Sequence, residues 1–480
     1  MLTLTLDPGA ERPLYEQIYR QIRQEIASGG LPAGARLPSK RALAAHLKVS
    51  VVTVEGAYGQ LLAEGYLRSE PKRGFFVWMP EEVPLPAPGP TPSVPPDRTA
   101  AAPLPYDFST SAVDTAHFPF STWARLMREV LSQEDSALLD SPPPQGVPEL
   151  RRAIVRYLRA FRGIRAEPEQ VVVGAGAEYL TSLLLQLLGH SGGWAVEDPG
   201  YRKAPRIFTH AGALVCPIPL DGQGLRVDAL RWSGARVAHI TPSHHFPLGT
   251  VMPIARRQAL LRWAMEGEDR YLIEDDYDSE FRFDGRPIPA LQTLDSGERV
   301  IYLNTFAKSL APSLRIGYMV LPPHLLERYR SEFLFYSSTV PSFEQHTLAR
   351  FLEGDHFERH IRRMRTIYRQ RRDALLAAAR AAGLLELGHF SGTEAGLHLL
   401  FHAPGGPSED ELVRSAAQAG VGVYPLSDYC LTPPDPGRSP TLILGYGGIE
   451  ADAMAPAMAR LAAAWRPLFP GAVTSAPGIP

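Results

Sequence analysis

The chain reads as an α/β protein in two unlike parts: a helical N-terminal head, then a larger domain on a mostly parallel sheet that ends in a small α+β C-terminal lobe. Three observations predict this. Residues 80–105 are crowded with proline, including Pro84, Pro86, Pro88, Pro90, Pro92, Pro95, Pro96 and Pro103, which favours extended segments over hydrogen-bonded ladders and marks a linker. Before it, apolar residues recur at helical spacing; after it, short apolar runs alternate with helical patterns for more than 350 residues. The expected division is a head at 1–79, a Pro-rich linker at 80–105, a large domain at 106–468 and a tail at 469–480.

Composition bounds the classes. With 480 residues, 45% hydrophobic and a net charge of -2, the chain has the make-up of an ordinary globular protein of two or three compact units. Cys216 and Cys430 are its only cysteines and have no metal-type spacing, so neither a disulfide framework nor a structural zinc is expected. The opening Met1-Leu2-Thr3-Leu4-Thr5-Leu6-Asp7 lacks the basic and apolar regions of a signal peptide, and no run is long enough to span a bilayer, so a cytoplasmic location is expected.

In the head, Leu14, Ile18, Ile22 and Ile26 give a first helix with one apolar face, stopped by Gly29-Gly30. Ser39 is placed to cap a second helix starting Lys40-Arg41-Ala42-Leu43. A tight turn at Lys48-Val49 then leads to Ser50, placed to cap a third helix over 51–64. Two short helices across a brief turn make a helix-turn-helix, whose second member puts its first turn into the DNA major groove. The stretch from Gly65 to Val77 predicts a hairpin with Lys72 and Arg73 at its tip, a wing suited to phosphates. Ten basic residues against seven acidic ones up to residue 79 is a small surplus, so position carries the argument. Ser39, Lys40, Arg41, Ser50, Thr53, Lys72 and Arg73 are the candidate contacts to double-stranded DNA. The bland alternative is a three-helix protein-interaction module with solvated charges.

Leu37-Pro38-Ser39-Lys40-Arg41-Ala42-Leu43-Ala44, Val49-Ser50-Val51-Val52-Thr53-Val54 and Ala57-Tyr58-Gly59-Gln60-Leu61-Leu62-Ala63-Glu64-Gly65-Tyr66 closely resemble the GntR superfamily head, a winged helix-turn-helix. Many members carry arginine where this chain has Val51, so binding to DNA is implied but no operator sequence.

In the larger part the expected strands are Val171-Val172-Val173, Trp194-Ala195-Val196, residues 237–240, Tyr271-Leu272-Ile273, residues 300–303 and residues 316–320. Helical patterns at 180–188 and 255–263 fall between them, as a sheet covered on both faces requires. An Arg-rich helix over 356–384 leads to further strands at 397–401 and 442–444.

Only two lysines follow Lys72, Lys203 and Lys308. Lys308 follows the apolar run 300–303, where an amine could form a Schiff base with an aldehyde such as pyridoxal phosphate (PLP). Such a site also needs a carboxylate for the pyridine nitrogen, a donor to the ring oxygen and an anion cradle. Asp275 and Tyr277, two apart after an apolar strand, share a face and could serve the first two. Gly174-Ala175-Gly176-Ala177 joins a strand to a helix whose N–H groups can hold phosphate, and Arg315 could clamp the same group. Tyr201 could stack on the ring. Each has a plainer reading: Lys308 as a solvated loop lysine, Tyr201 as core, the glycines as a tight turn. Glu274, Asp275, Asp276 and Asp278 could instead hold a divalent metal, a reading that leaves Lys308 without a role.

Gln145-Gly146-Val147-Pro148-Glu149-Leu150-Arg151, Glu197-Asp198-Pro199-Gly200-Tyr201, Thr241-Pro242-Ser243-His244-His245-Phe246-Pro247-Leu248-Gly249, Glu274-Asp275-Asp276-Tyr277-Asp278-Ser279-Glu280-Phe281 and Thr305-Phe306-Ala307-Lys308 resemble fold-type I aminotransferases. More specifically, they resemble the MocR subfamily of GntR regulators, in which such a domain follows the winged head. The resemblance implies PLP on Lys308, Asp275 at the pyridine nitrogen, Tyr277 at the ring oxygen, and Gly176, Ala177 and Arg315 at the phosphate. It also implies a homodimer with each head packed on the partner subunit. Departures are Ala307 for the usual serine and His245 and Leu248 for the usual glutamine and threonine. Lys203 stands where a relative's effector carboxylate meets arginine; no arginine lies within 441–444, and Arg438 is the nearest candidate. The expected function is a PLP-dependent transcriptional regulator sensing PLP or an amino-acid-type effector, in control of vitamin B6 or amino-acid metabolism. The alternative is a working aminotransferase with an accessory head.

Overall fold

The computed structural model describes residues 4–10, 12–78, 104–133, 135–283, 288–433, 435 and 437–469. Most of the expected Pro-rich linker and all but the first residue of the expected tail lie outside these. The chain divides into two compact units, Met1–Ala100 and Ala101–Pro480.

In the first unit, α1 (Leu14–Ala27), α2 (Lys40–Leu47) and α3 (Val51–Ala63) enclose a core of Ile18, Ile22, Ile26, Leu43, Val54, Ala57, Tyr58 and Leu61. Lys48 closes α2 in the left-handed region at φ 53°, a conformation few non-glycine residues adopt, and this turns the chain sharply into α3. A three-stranded sheet completes the unit: β1 (Arg36–Leu37) and β2 (Leu67–Glu70) both pair antiparallel with β3 (Gly74–Val77).

The second unit is organised by an eight-stranded sheet. Its spatial order is Val171–Gly174, Gly317–Val320, Val300–Thr305, Tyr271–Asp275, Ala235–Ile240, Gly193–Asp198, Leu214–Asp221 and Gly224–Leu225. Strand Gly317–Val320 runs antiparallel to both neighbours, and Gly224–Leu225 antiparallel to Leu214–Asp221; the other pairings are parallel. Alternate residues serve opposite faces: Ile301 and Leu303 join the cluster under helices Ala177–Leu188 and Pro323–Glu332, whereas Tyr302 joins the cluster on the other side. A second sheet of four strands, Phe390's strand His389–Ser391, then His398–His402, Thr441–Gly445 and Tyr424–Pro425, forms the C-terminal lobe behind helix His356–Ala381. Among the described residues no helix is long and apolar enough to cross a membrane.

Of the strands that the sequence reading did not name, the longest has a physical reason. Leu214–Asp221 carries Pro217 and Pro219 and exposed residues, a pattern that argues against a central strand. From Leu214 to Pro219 it pairs only with Gly193–Asp198, and it meets Gly224–Leu225 through Leu220 and Asp221 alone, so the prolines are tolerated where the far side is unpaired.

A buried ion pair ties these elements together. Arg162, just past helix Pro148–Phe161, lies 2.8 Å from Asp276, with both side chains almost wholly buried. Its guanidinium also donates to Ser243 Oγ at 2.7 Å and to the Ile288 carbonyl, while Tyr302 and Ser279 donate to Asp276 at 2.6 and 2.8 Å. Removing one partner strands the other charge. Arg162→Ala should therefore destabilise the second unit by about 3–5 kcal/mol, seen as a lower urea midpoint, and adding Asp276→Asn should recover part of the loss.

Candidate functional site

Parallel strands deliver their C-terminal ends to one edge of the sheet, where ligands of such folds bind. Asp275 is the last residue of its strand, Lys308 follows Val300–Thr305, Tyr201 follows Gly193–Asp198, and the Gly176–Ala177 turn follows Val171–Gly174. Because Gly317–Val320 is reversed, its beginning reaches that same edge, and Arg315 lies just before it. All of these residues, with Tyr277 and Lys203, line one cavity of about 370 Å³.

Lys308 Nζ donates to the carbonyls of Thr110 and Ser111 at 2.6 and 3.3 Å. The residue is partly buried and lines the cavity. Burial lowers its pKa from 10.5 to about 8 while Asp278 acts in the opposite direction. A lysine so placed keeps a sizeable neutral, nucleophilic fraction near neutral pH.

Asp275 is buried with His239 Nε2 3.3 Å behind it. Tyr277 Oη lies 3.0 Å from His244 Nδ1, which is itself 2.9 Å from Asp278. Burial foremost, then the charge of Asp278, raises the Tyr277 pKa well above that of a free phenol, so the hydroxyl keeps its proton. Tyr201 is half-buried and meets Phe246 edge-on with ring centroids 6.5 Å apart.

Gly176 caps helix Ala177–Leu188 at φ 88°, and the first turn of that helix offers N–H groups without intrahelical partners. Arg315, left-handed at φ 51°, turns its guanidinium toward this cap, donating to Ala175 O at 3.3 Å. A Cβ on Gly176 would stand 2.9 Å from that guanidinium, so only glycine leaves the recess open. The amine, carboxylate, phenol and cationic recess together are the donor set PLP requires.

The four clustered carboxylates do not converge. Glu274 accepts the backbone N–H groups of Leu291 and Gln292, Asp276 holds Arg162, Asp278 holds His244, and Asp275 alone backs onto His239. No group of three or more His, Cys, Asp or Glu among the described residues is arranged to hold a metal ion.

Arg438 stands outside the cavity lining, with its guanidinium 3.3 Å from both Glu409 and the Cys430 sulfur. Lining residues that the sequence gave no role include Thr110, Ser111, Arg202, His398 and Tyr429. The two carbonyls beneath Lys308 carry no side-chain signal. Arg202 is a cation beside Lys203 and only loosely engaged, 3.4 Å from Asp428. Glu178 was also passed over, because a carboxylate in a helix's first turn is commonplace. It bridges Lys203 at 2.6 Å and Arg315 at 2.8 Å. Burial works to raise its pKa, but these two partners hold it down at about 2.

In the head, Ser39 and Ser50 do cap α2 and α3, accepting from Ala42 N at 3.2 Å and Thr53 N at 3.1 Å. The Thr53 hydroxyl is 2.7 Å from Ser50 Oγ. Lys40 is paired with Glu55 at 2.5 Å and Arg73 with Glu70 at 2.7 Å, whereas Arg41 and Lys72 are exposed without an ion pair among the described residues.

Glu178 already neutralises the two cations of the recess. Glu178→Gln should release them and tighten binding of inorganic phosphate about threefold to tenfold at low salt, less at high salt, by calorimetric titration.

Comparison with known proteins agrees with this division. Residues 14–77 match the family of bacterial regulatory proteins, gntR family, and residues 106–438 match aminotransferase class I and II. The chain is 40% identical to an uncharacterized HTH-type transcriptional regulator, YhdI, of Bacillus subtilis, covering 98% of this chain and 99% of the relative. It is 37% identical to the probable rhizopine catabolism regulatory protein MocR of Rhizobium meliloti (94% and 93%), and 33% identical to the HTH-type pyridoxine biosynthesis transcriptional regulator PdxR of Corynebacterium glutamicum (94% and 96%). An archaeal alanine:glyoxylate aminotransferase shares the fold of the second unit with a TM-score of 0.68 at 23% identity, over 77% of this chain and 92% of that one. With a gntR-type helix-turn-helix head ahead of an aminotransferase-like domain, the chain belongs to the MocR subfamily of GntR-type transcriptional regulators.

Proposed function

We propose that this regulator holds PLP at Lys308, binds operator DNA through its head, and changes its hold on DNA when the cavity is filled. The observation that carries the reading is the convergence of Lys308, Asp275, Tyr277, Arg315 and the Gly176–Ala177 turn on one cavity. Bound there, PLP supplies an aldehyde for a primary amine and a ring nitrogen whose protonation draws electrons away from it. The protein's part is positioning. The Thr110 and Ser111 carbonyls hold the Lys308 amine in place, while Asp275 would keep a proton at the ring nitrogen, Tyr277 would bond the ring oxygen, and Arg315 with the helix N–H groups would take the phosphate.

Strand Thr441–Gly445 has no arginine, which favours PLP itself over an amino acid as the signal. The name of the Corynebacterium relative, a pyridoxine biosynthesis regulator, points the same way and suggests vitamin B6 metabolism as the target. Pairing of two copies, as the resemblance to the subfamily implies, would give two heads for two half-sites. A ligand can shift such an assembly only by binding its two arrangements unequally.

The test is a gel-shift titration of the full-length protein on the DNA flanking its gene, with no addition, with PLP, and with PLP plus amino acids. PLP alone should change affinity, amino acids should add nothing, and Lys308→Ala should abolish the response while retaining DNA binding. No specific binding in any arm would overturn the reading. A second measurement bears on the amine. Because the folded pKa of Lys308 is about 8 rather than 10.5, the rate of PLP capture should rise with pH up to about 8 and then level off. Borohydride reduction should fix the label on Lys308 alone, read by peptide mass.

A further inference from the structure

The first turn of α3 carries two adjacent valines that the head does not use. Val54, Ala57, Tyr58 and Leu61 supply the buried face of this helix, whereas Val51 is 41% and Val52 75% exposed. Single exposed apolar residues need no explanation. These two differ in their surroundings. Val51 lies one turn from Glu55, whose carboxylate holds Lys40 at 2.5 Å, so the start of α2 adjoins this face of α3. The Lys40 ammonium also lies over the Phe75 ring, 5.6 Å from its centre, which brings the β2–β3 wing to the same neighbourhood. Arg41 at the start of α2, Lys48 in the turn before α3 and Lys72 at the tip of the wing are all exposed and have no ion pair among the described residues. An apolar pair on a helix's first turn, bordered by unpaired cations, complements a polyanion with apolar groups on its inner surface. Duplex DNA provides these: phosphates at the rim of the major groove, and on its floor the 5-methyl of thymine, the one apolar group that distinguishes base pairs there.

We propose that Val51 and Val52 read thymine methyl groups, making them the specificity-determining residues of the head. Ser50 and Thr53 are engaged with each other and with the helix cap, so the valines are what the first turn has left to present to a base edge. The consequence is a half-site with one or two fixed thymines at the place of this turn. Burying a methyl against a valine is worth roughly fourfold in affinity for each contact. This inference rests on the head binding duplex DNA.

The experiment starts from duplexes selected out of a random-sequence library by the full-length protein, and then replaces individual thymines by deoxyuracil, which removes only the methyl. For the unaltered protein, one or two replacements per half-site should weaken binding about fourfold each. For the double variant with Val51→Ala and Val52→Ala, changes that favour the helix and lie on its surface, those same replacements should have no effect, while the steep dependence on salt stays as it was. Selected duplexes that bind equally well with deoxyuracil at every position would overturn the inference and leave DNA binding intact. So would sensitivity to the methyl that persists in the double alanine variant. If no duplex is enriched, the DNA-binding reading falls, and the inference with it.

Discussion

The candidate site depends on a charge that faces away from it. Asp276 sits between Asp275 and Tyr277, and on an extended chain it points opposite to both. Its carboxylate receives Arg162, Tyr302 and Ser279, and its backbone N–H goes to the Leu303 carbonyl. Arg162 in turn reaches Ser243, in the loop after strand Ala235–Ile240. One buried carboxylate thus ties together the strand that ends in Asp275, the strand that leads to Lys308 and the loop that holds His244. Burial alone would lower the Arg162 pKa, but the field of Asp276 reverses this and keeps the guanidinium charged. The pair stays ionised, and Asp276 is held away from the cavity that Asp275 and Tyr277 line.

The same burial divides the acidic residues around the site by role. Glu197, Glu274 and Glu280 are each pushed up to about 7, in every case chiefly by burial. Their neighbours meet them differently: Glu197 takes the Thr241 hydroxyl at 2.7 Å, Glu280 the Tyr157 hydroxyl at 2.9 Å, and Glu274 two backbone N–H groups. These contacts brace the loops on which the cavity residues stand. A cluster of carboxylates in the sequence was therefore compatible with a metal site, whereas in three dimensions each carboxylate closes a different joint.

What was legible in the sequence was whatever leaves a periodic or terminal signal. Apolar runs of three to five residues gave the central strands, and the residues at their ends gave Asp275, Lys308 and the Gly176 turn, because a parallel sheet collects strand ends at one edge. Ser39 and Ser50 announced their helices because a hydroxyl at that position satisfies an orphan N–H. What stayed hidden has a physical reason in each case. The carbonyls of Thr110 and Ser111 belong to the backbone and look alike in any sequence. Strand Leu214–Asp221 breaks the proline rule because most of its outer side is unpaired. Lys203 and Arg202 are adjacent cations, and only the fold reveals that Lys203 is committed to Glu178 while Arg202 is loosely held.

That commitment bears on what kind of site this is. A phosphate entering the recess meets Lys203 and Arg315 already satisfied by Glu178, at 2.6 and 2.8 Å. It gains only the difference between its own contacts and those it displaces, and it must also move a carboxylate held ionised to about pH 2. An enzyme that keeps its cofactor through many turnovers is served by the largest possible difference. A sensor is served by a smaller one, because its occupancy has to fall when the ligand becomes scarce, and a ligand bound at saturation under all conditions reports nothing. The internal carboxylate therefore fits a domain that retains the donor set of an aminotransferase-like site and uses it reversibly.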